Sequence, residues 1–492
     1  MTQPTFQPSA LQRLCRSGVS ALAVVLTGAM LSTSVQAQTA DIPQHDETLL
    51  IDSGWCTNST GSAQVIWSDL IEFPDATWVR LYFDQVMLGP WEGTDARAML
   101  RITSLDDFAV QHLDAVTVQQ WGLSSAYFNG NAVSVELLAE PGAGPCRVVF
   151  DHATVGEPVG EVISSICGPT DDRLPSEELK TCRLLSIGCT GWLIDDPHHQ
   201  FLTAGHCKAL GDLSVAEFNV PLSDGSGNIR HPGPEDQYSV DNSSVQYHYV
   251  TIGDDYCYFG CFPNSETGLT AYQAQGEHFT LDTAAPPVQG QTIRITGFGT
   301  TDNSVPREWN QAQKTHTGQY YLHSGTQIGY QTDTSGGNSG SPVFNETEGL
   351  AIGIHTHGGC YNGGGYNSGT AIEHPGLQAA LLASPRGVCA PFDLAVSDLF
   401  AGQMATVTAT NANASSMVYF TYSTRGTGAT EVPALGVRLS IANPVLGGSS
   451  MADNTGRAEL QRRLGNGLGG ITVWVQAAQA GMTSDVVSKR IN

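Results

Sequence analysis

The sequence predicts an all-β protein built from several domains. Three observations carry that expectation. The chain has 492 residues, which at about 100–200 residues per domain points to two to four units. Glycine numbers 55 while charged residues make up only 14%, a balance that favours short strands and turns over long surface helices. Short apolar runs recur along the chain, bounded by Gly, Pro and Asp.

Apolar residues make up 40% of the chain, enough for a packed core and too many for a disordered polypeptide. The net charge is −25. Such an acidic chain has no general electrostatic attraction to nucleic acid or to an anionic membrane, and neither is expected as a partner.

Residues 1–37 read as a secretory leader. Arg13 and Arg16 form its basic part. Val19–Leu31 is an apolar run too short to span a bilayer, and Val35-Gln36-Ala37 offers small residues at the cleavage positions. Cysteine usage agrees with export. Of eleven cysteines, Cys15 lies in the leader and ten follow it, an even number that suggests disulfides in a secreted chain. The spacings contain no two close CxxC pairs, so no metal site is expected.

Residues 38–160 form the first expected domain. Val65–Trp67, Trp78–Phe83, Met99–Ile102, Tyr127–Phe128 and Val133–Leu138 are strand-like. Cys56 and Cys146 bracket the segment and are expected to pair across it. It resembles the jelly-roll or CUB-like sandwiches attached to secreted enzymes. Two uses are open to Trp67, Trp78, Trp91 and Trp121: a sugar-stacking face that binds polysaccharide or a surface, or core packing, which employs Trp more often. Glu157–Gly160 reads as a linker. Residues 391–492 alternate apolar and polar positions, as in Thr406–Thr410 and Ile471–Val475, and resemble an Ig-like sandwich. Pro385–Pro391 marks their boundary.

The chemistry lies in residues 161–390. Thr203-Ala204-Gly205-His206-Cys207, Gly253-Asp254-Asp255-Tyr256-Cys257 and Gly336-Gly337-Asn338-Ser339-Gly340-Ser341-Pro342 supply His, Asp and Ser in that order. Acyl transfer needs those three types together. A serine hydroxyl is a weak nucleophile until an imidazole takes its proton. A buried carboxylate then fixes the imidazole tautomer and stabilises the imidazolium. Backbone N–H groups of Gly337 and Ser339 are expected to form the oxyanion hole. Neighbouring strand residues face opposite ways, so only one of Asp254 and Asp255 reaches the histidine, and Asp255 is preferred. Cys257 and Cys261 are close enough in sequence to pair locally. His198-His199 follow Asp195-Asp196-Pro197 and read as a surface turn. Asn58 and Asn242 are glycosylation sites only in a host that glycosylates.

The fragments TAGHC at 203–207 and GNSGSP at 337–342 resemble the chymotrypsin-fold serine endopeptidases. The similarity is closer to their bacterial V8-like, glutamyl-endopeptidase branch, because Gly168–Arg173 resembles the start of that mature enzyme and Cys189–Ile194 its CTGWLI strand. It covers about 165–380. The resemblance implies a central double β-barrel, a His206–Asp255–Ser339 triad, a Cys189–Cys207 disulfide and hydrolysis of protein or peptide substrates without a cofactor. Position 338, just before the serine, is Asn. The aspartate that a trypsin-like zymogen pairs with its new N-terminus is therefore absent, and no such switch is expected; the segment before about Ile166 is expected to restrain or deliver the enzyme. For the S1 pocket the resemblance points to His355 and Thr334, both able to donate to an acidic P1 side chain. Asp333 occupies the place where trypsin-like enzymes hold the carboxylate for Arg or Lys, so basic P1 is the alternative. Two other classes remain: an inactive binding or adhesion module, and an esterase. The second fits poorly, because α/β-hydrolases place the histidine last and this chain places it first.

Overall fold

Two closed rings of β-strands hold the centre of the chain. This computed structural model describes residues 37–492 except 90–95, 160–163, 197–199, 303, 384–385, 413–415, 436, 454–455 and 481. The leader expected at 1–37 therefore falls outside the described residues apart from Ala37, as do Trp91, His198, His199, Gly160 and Pro385.

In the first ring the strands run in the order Thr181–Ser186, Cys189–Leu193, Phe201–Thr203, Asp254–Cys261, Gln237–Thr251, Leu213–Glu217, and the last pairs the first. The second contains Thr292–Gly297, Lys314–Ser324, Gln327–Gln331, Pro342–Asn345, Leu350–His357 and Asn367–Ala371. It closes because Lys314–Ser324 pairs both Thr292–Gly297 and Gln327–Gln331. Several strands here are buried along their whole length: every residue of Cys189–Leu193 and Asn367–Ala371 is buried. Strands covered on both faces read as continuous runs, not alternations.

The flanking segments differ in this respect. Residues 44–156 form two four-stranded antiparallel sheets, with orders Gln44–Thr48, Arg147–Gly156, Trp78–Met87, Phe128–Asn129 and Gln64–Glu72, Ala132–Ala139, Ala98–Ser104, Val110–Leu113. Ala98–Ser104 alternates buried and half-buried residues, the signature of a sheet with one face on a core. That core includes Leu81, Leu100, Ile102, Val135 and Leu137. Trp78 and Trp121 are part of it, and Trp67 packs against Phe150. These three therefore pack the sandwich and do not make a flat sugar-stacking face. Residues 393–490 form three further sheets, of three, five and two strands, with Leu394, Phe420 and Val475 in one core.

The N-terminal sandwich is not held on a loose tether. Leu185 and Val215 of the first barrel, and Ile229 from the loop between the barrel strands Leu213–Glu217 and Gln237–Thr251, belong to its core. Buried Arg80 donates to Ser214 Oγ at 2.9 Å, Asn129 Nδ2 donates to the His231 carbonyl at 2.8 Å, and the Trp78 ring meets the His231 ring edge-on at 5.3 Å. Beside the expected linker, the Val159 amide donates to Asn228 Oδ1.

Two expected disulfides are corrected. Cys56 and Cys146 face each other across a bridge whose amides bond reciprocally at 2.9 and 2.7 Å, yet both are thiols. The Cys56 sulfur turns toward the Ser53 carbonyl, 3.4 Å away. Cys257 and Cys261 are also thiols. They sit four positions apart on the extended strand Asp254–Cys261. At a rise of about 3.3 Å per residue that separation is about 13 Å, beyond the reach of a disulfide.

Candidate active site

His206 sits on the single helical turn Gly205–Ala209, straight after the strand Phe201–Thr203. That strand pairs with Asp254–Cys261, with Thr203 opposite Cys257, so the turn lies beside Asp255. Glycine is required at 205: a Cβ there would lie 1.9 Å from the His248 carbonyl oxygen. Cys207, one residue on, is bonded to Cys189 and ties the turn to the neighbouring strand.

Strand alternation separates the two candidate aspartates. Asp255 is fully buried, and its carboxylate accepts from His206 Nδ1 at 2.6 Å and from the His206 amide at 2.9 Å. Asp254 faces the other way, toward His248 at 3.2 Å and His374 at 2.9 Å.

Ser339 comes from the second barrel. His206 Nε2 lies 2.6 Å from its Oγ. The turn around it needs glycine: Gly337 has φ +99° and Gly340 φ +90°, and a Cβ on Gly340 would meet the Thr190 carbonyl at 2.1 Å. The first barrel clamps this turn. The Thr190 amide donates to the Ser339 carbonyl at 2.8 Å, Thr190 Oγ1 to the Gly337 carbonyl at 2.8 Å, and Trp192 Nε1 to the Gly340 carbonyl at 2.9 Å. The strand CTGWLI thus holds the serine loop, a role its resemblance alone did not reveal.

A second brace is Arg173. It pairs with Asp171 at 2.6 Å, both nearly inaccessible, and donates to Ser335 Oγ, the Thr300 carbonyl and Asn338 Oδ1. The residue before the serine is thus bound by a side chain of the chain interior. Cys167, close by in sequence, is bonded to Cys360, a pairing the sequence left open.

The residues expected around the S1 pocket divide. His355 is fully buried, with Nδ1 2.6 Å from the Tyr330 hydroxyl and Nε2 2.5 Å from Gln38 Oε1. Burial, with the neighbouring His357 and His206, pushes its pKa down to about 3. It is therefore neutral near pH 7. With Tyr330 donating to Nδ1, the Nε2–H points at Gln38. Thr334 Oγ1 accepts from Asn367 Nδ2 at 2.8 Å. Asp333 turns elsewhere: its two oxygens accept from the Cys167 and Asp172 amides at 2.7 and 2.8 Å. The amides of Gly337 and Ser339 both donate to one acceptor, the carbonyl oxygen of Gln38, at 2.5 and 3.3 Å. Gln38 and Tyr330 carried no local signal in the sequence; Tyr330 comes from the strand Gln327–Gln331 of the same barrel, and Gln38 from the far N-terminal part of the chain.

Among the described residues, two groups of side chains bring metal-binding atoms together. In Cys189–His206–Cys207 both sulfurs are in the disulfide. In Asp172–His316–Asp333 the Asp333 oxygens already accept from two amides.

Residues 189–354 match the family model for the trypsin-like peptidase domain. This chain carries a trypsin-like peptidase domain. Among curated proteins it is similar to a glutamyl endopeptidase of Bacillus licheniformis, 27% identical over 195 residues, covering 38% of this chain and 57% of the relative. It is also similar to a Bacillus subtilis protein named extracellular metalloprotease, 28% identical over 200 residues, with 38% and 56% covered. The chain thus spans a little over half the length of these relatives. Solved structures that match include a Glu endopeptidase in complex with MPD, at TM-score 0.33 and 17% identity, over 43% of this chain and 96% of that one. A thermostable serine protease from an extremophilic microorganism matches at TM-score 0.33 and 16% identity, over 42% and 97%. No helix among the described residues is long and apolar enough to cross a membrane.

Proposed function

We propose that this protein is an exported serine endopeptidase that prefers Glu, or its isostere Gln, at P1. The peptidase unit is 161–390, with 38–160 and 391–492 as accessory β-sandwiches. Ser339 is the nucleophile, His206 the general base and then acid, and Asp255 the group that orients and charge-stabilises His206. Gly337 and Ser339 N–H groups stabilise the oxyanion. The carrying observation is the convergence on one residue: Gln38 presents its carbonyl oxygen to both amides and its side-chain carbonyl to His355.

A neutral imidazole that donates one hydrogen bond suits an uncharged amide or a carboxylate of the same length. The basic-P1 alternative finds no support, since the Asp333 carboxylate is taken up by Cys167 and Asp172. Cleavage mapping on a proteome-derived peptide library, with Ser339→Ala as control, tests the reading. The expected result is cuts after Glu and Gln that vanish in the variant. Cuts only after Arg or Lys would overturn the specificity, and no cuts at all would overturn the function.

A further inference from the structure

We propose that the chain is its own first substrate: Ser339 cleaves the Gln38–Thr39 bond of the same polypeptide. The proposal rests on the peptidase reading above and names a specific processing site for it.

Residues 37–40 lie across the active site as an extended peptide. Ala37 forms an antiparallel bridge with His357, the last residue of the strand Leu350–His357. On the other side of the serine, the Ala40 amide donates to the Gly188 carbonyl at 2.9 Å. Between them the Gln38 amide donates to Ser339 Oγ at 2.9 Å, while the Gln38 carbonyl oxygen takes both oxyanion donors. The Gln38 side chain fills the pocket over His355 and is almost wholly buried, at 6% exposure. The peptide fits closely. A Cβ on Gly336 would lie 2.6 Å from the Thr39 carbonyl oxygen, and one on Gly358 would lie 2.5 Å from Gln38 Nε2. Glycines stand where the strand would otherwise be displaced.

Two of these contacts fall where hydrolysis needs them, the carbonyl oxygen on the two amides and the side chain on His355. The carbonyl oxygen on the two amides and the Gln38 nitrogen 2.9 Å from Oγ place the Gln38 carbonyl as the group Oγ would attack. Attack forms the Oγ–C bond, and the Oγ proton passes to His206 Nε2. The C–N bond to Thr39 breaks, and His206 gives that proton to the Thr39 nitrogen. Water then adds to the Gln38 ester, His206 returns a proton to Oγ, and the products are a Gln38 carboxylate and a Thr39 amine. Most of the hold does not depend on what precedes Gln38. If a signal peptidase cuts after Ala37, only the Ala37–His357 pairing is lost, and Gln38 and Ala40 keep their bonds. Until Gln38 is released, the pocket is filled and external substrate is excluded.

The full-length protein is exported as wild type, Ser339→Ala and Thr39→Pro, and the N-termini are read by intact mass and N-terminal sequencing. Wild type is expected to begin at Thr39. Ser339→Ala is expected to begin at Gln38 or upstream. Thr39→Pro, with its triad unaltered, keeps the upstream end because proline is a poor leaving residue. Peptide hydrolysis by wild type is measured in parallel. A wild type that cuts peptides yet shares its N-terminus with Ser339→Ala overturns self-cleavage and leaves the peptidase reading standing. A folded wild type that cuts neither itself nor any peptide overturns both.

Discussion

The Ser339 hydroxyl meets His206 Nε2 at 2.6 Å and His206 Nδ1 meets Asp255 at 2.6 Å, with all three side chains sealed from solvent. Such a unit acts as a whole, so Ser339→Ala or His206→Ala is expected to cost about 10⁴–10⁶ in kcat, measured on a Glu- or Gln-P1 peptide. His355 acts on a different quantity. His355→Leu removes the proposed donor to the P1 side chain while leaving Ser339, His206 and Asp255 in place. It is expected to lower kcat/KM for Glu and Gln P1 by about 10²-fold or more, because the substrate's polar end is then buried without a partner. Ser339 in that variant should still label with a fluorophosphonate. His206 and Ser339 were legible in the sequence because their local chain chemistry is distinctive. Gln38 was not. Its bond to Ser339 spans 301 positions, and nothing in Ala37-Gln38-Thr39 announces a substrate beyond its place at the end of a leader.

At the scale of elements, one strand decides the acid of the proposed triad. Asp254 and Asp255 are adjacent on Asp254–Cys261, and the pleat sends them to opposite sides. Asp255→Asn is expected to lower kcat by about 10⁴, because the imidazole then takes the wrong tautomer. Asp254→Asn breaks only its contacts with His248 and His374 and should change kcat less than about 10-fold; similar losses in the two variants would contradict the assignment. The same strand shows why local cysteine spacing misled. Cys257 and Cys261 look close in sequence, but an extended backbone carries them apart. The pairing that the sequence left open, Cys167–Cys360, joins residues 193 positions apart, where sequence offers no register. Likewise CTGWLI was legible as a strand, but its grip on the serine loop through Thr190 and Trp192 depends on how the two barrels meet.

At the scale of the whole molecule, the N-terminal sandwich and the first barrel share buried polar contacts. Arg80 bonds Ser125, Tyr127, Ser124 and Ser214, so Arg80→Ala leaves several buried groups unpaired and is expected to cost about 2–4 kcal/mol in chemical denaturation. Acid should act in the same direction. Burial lowers the pKa of His231, of His355 to about 3 and of His357 to about 4, all from an ordinary value of 6.5. The unfolded chain therefore takes up protons that the folded chain refuses. Stability is full above pH 6.5 and falls as pH drops toward 4, by about 1.4 kcal/mol per pH unit for each histidine engaged. A denaturation midpoint unchanged between pH 7 and pH 4.5 would contradict this. The central claim is that Ser339 is an activated nucleophile, and fluorophosphonate labelling of the folded, processed protein tests it most directly, with the site located by peptide mass. The account predicts one label per chain, on Ser339, lost in His206→Ala. No label on Ser339, or equal labelling without His206, would contradict it.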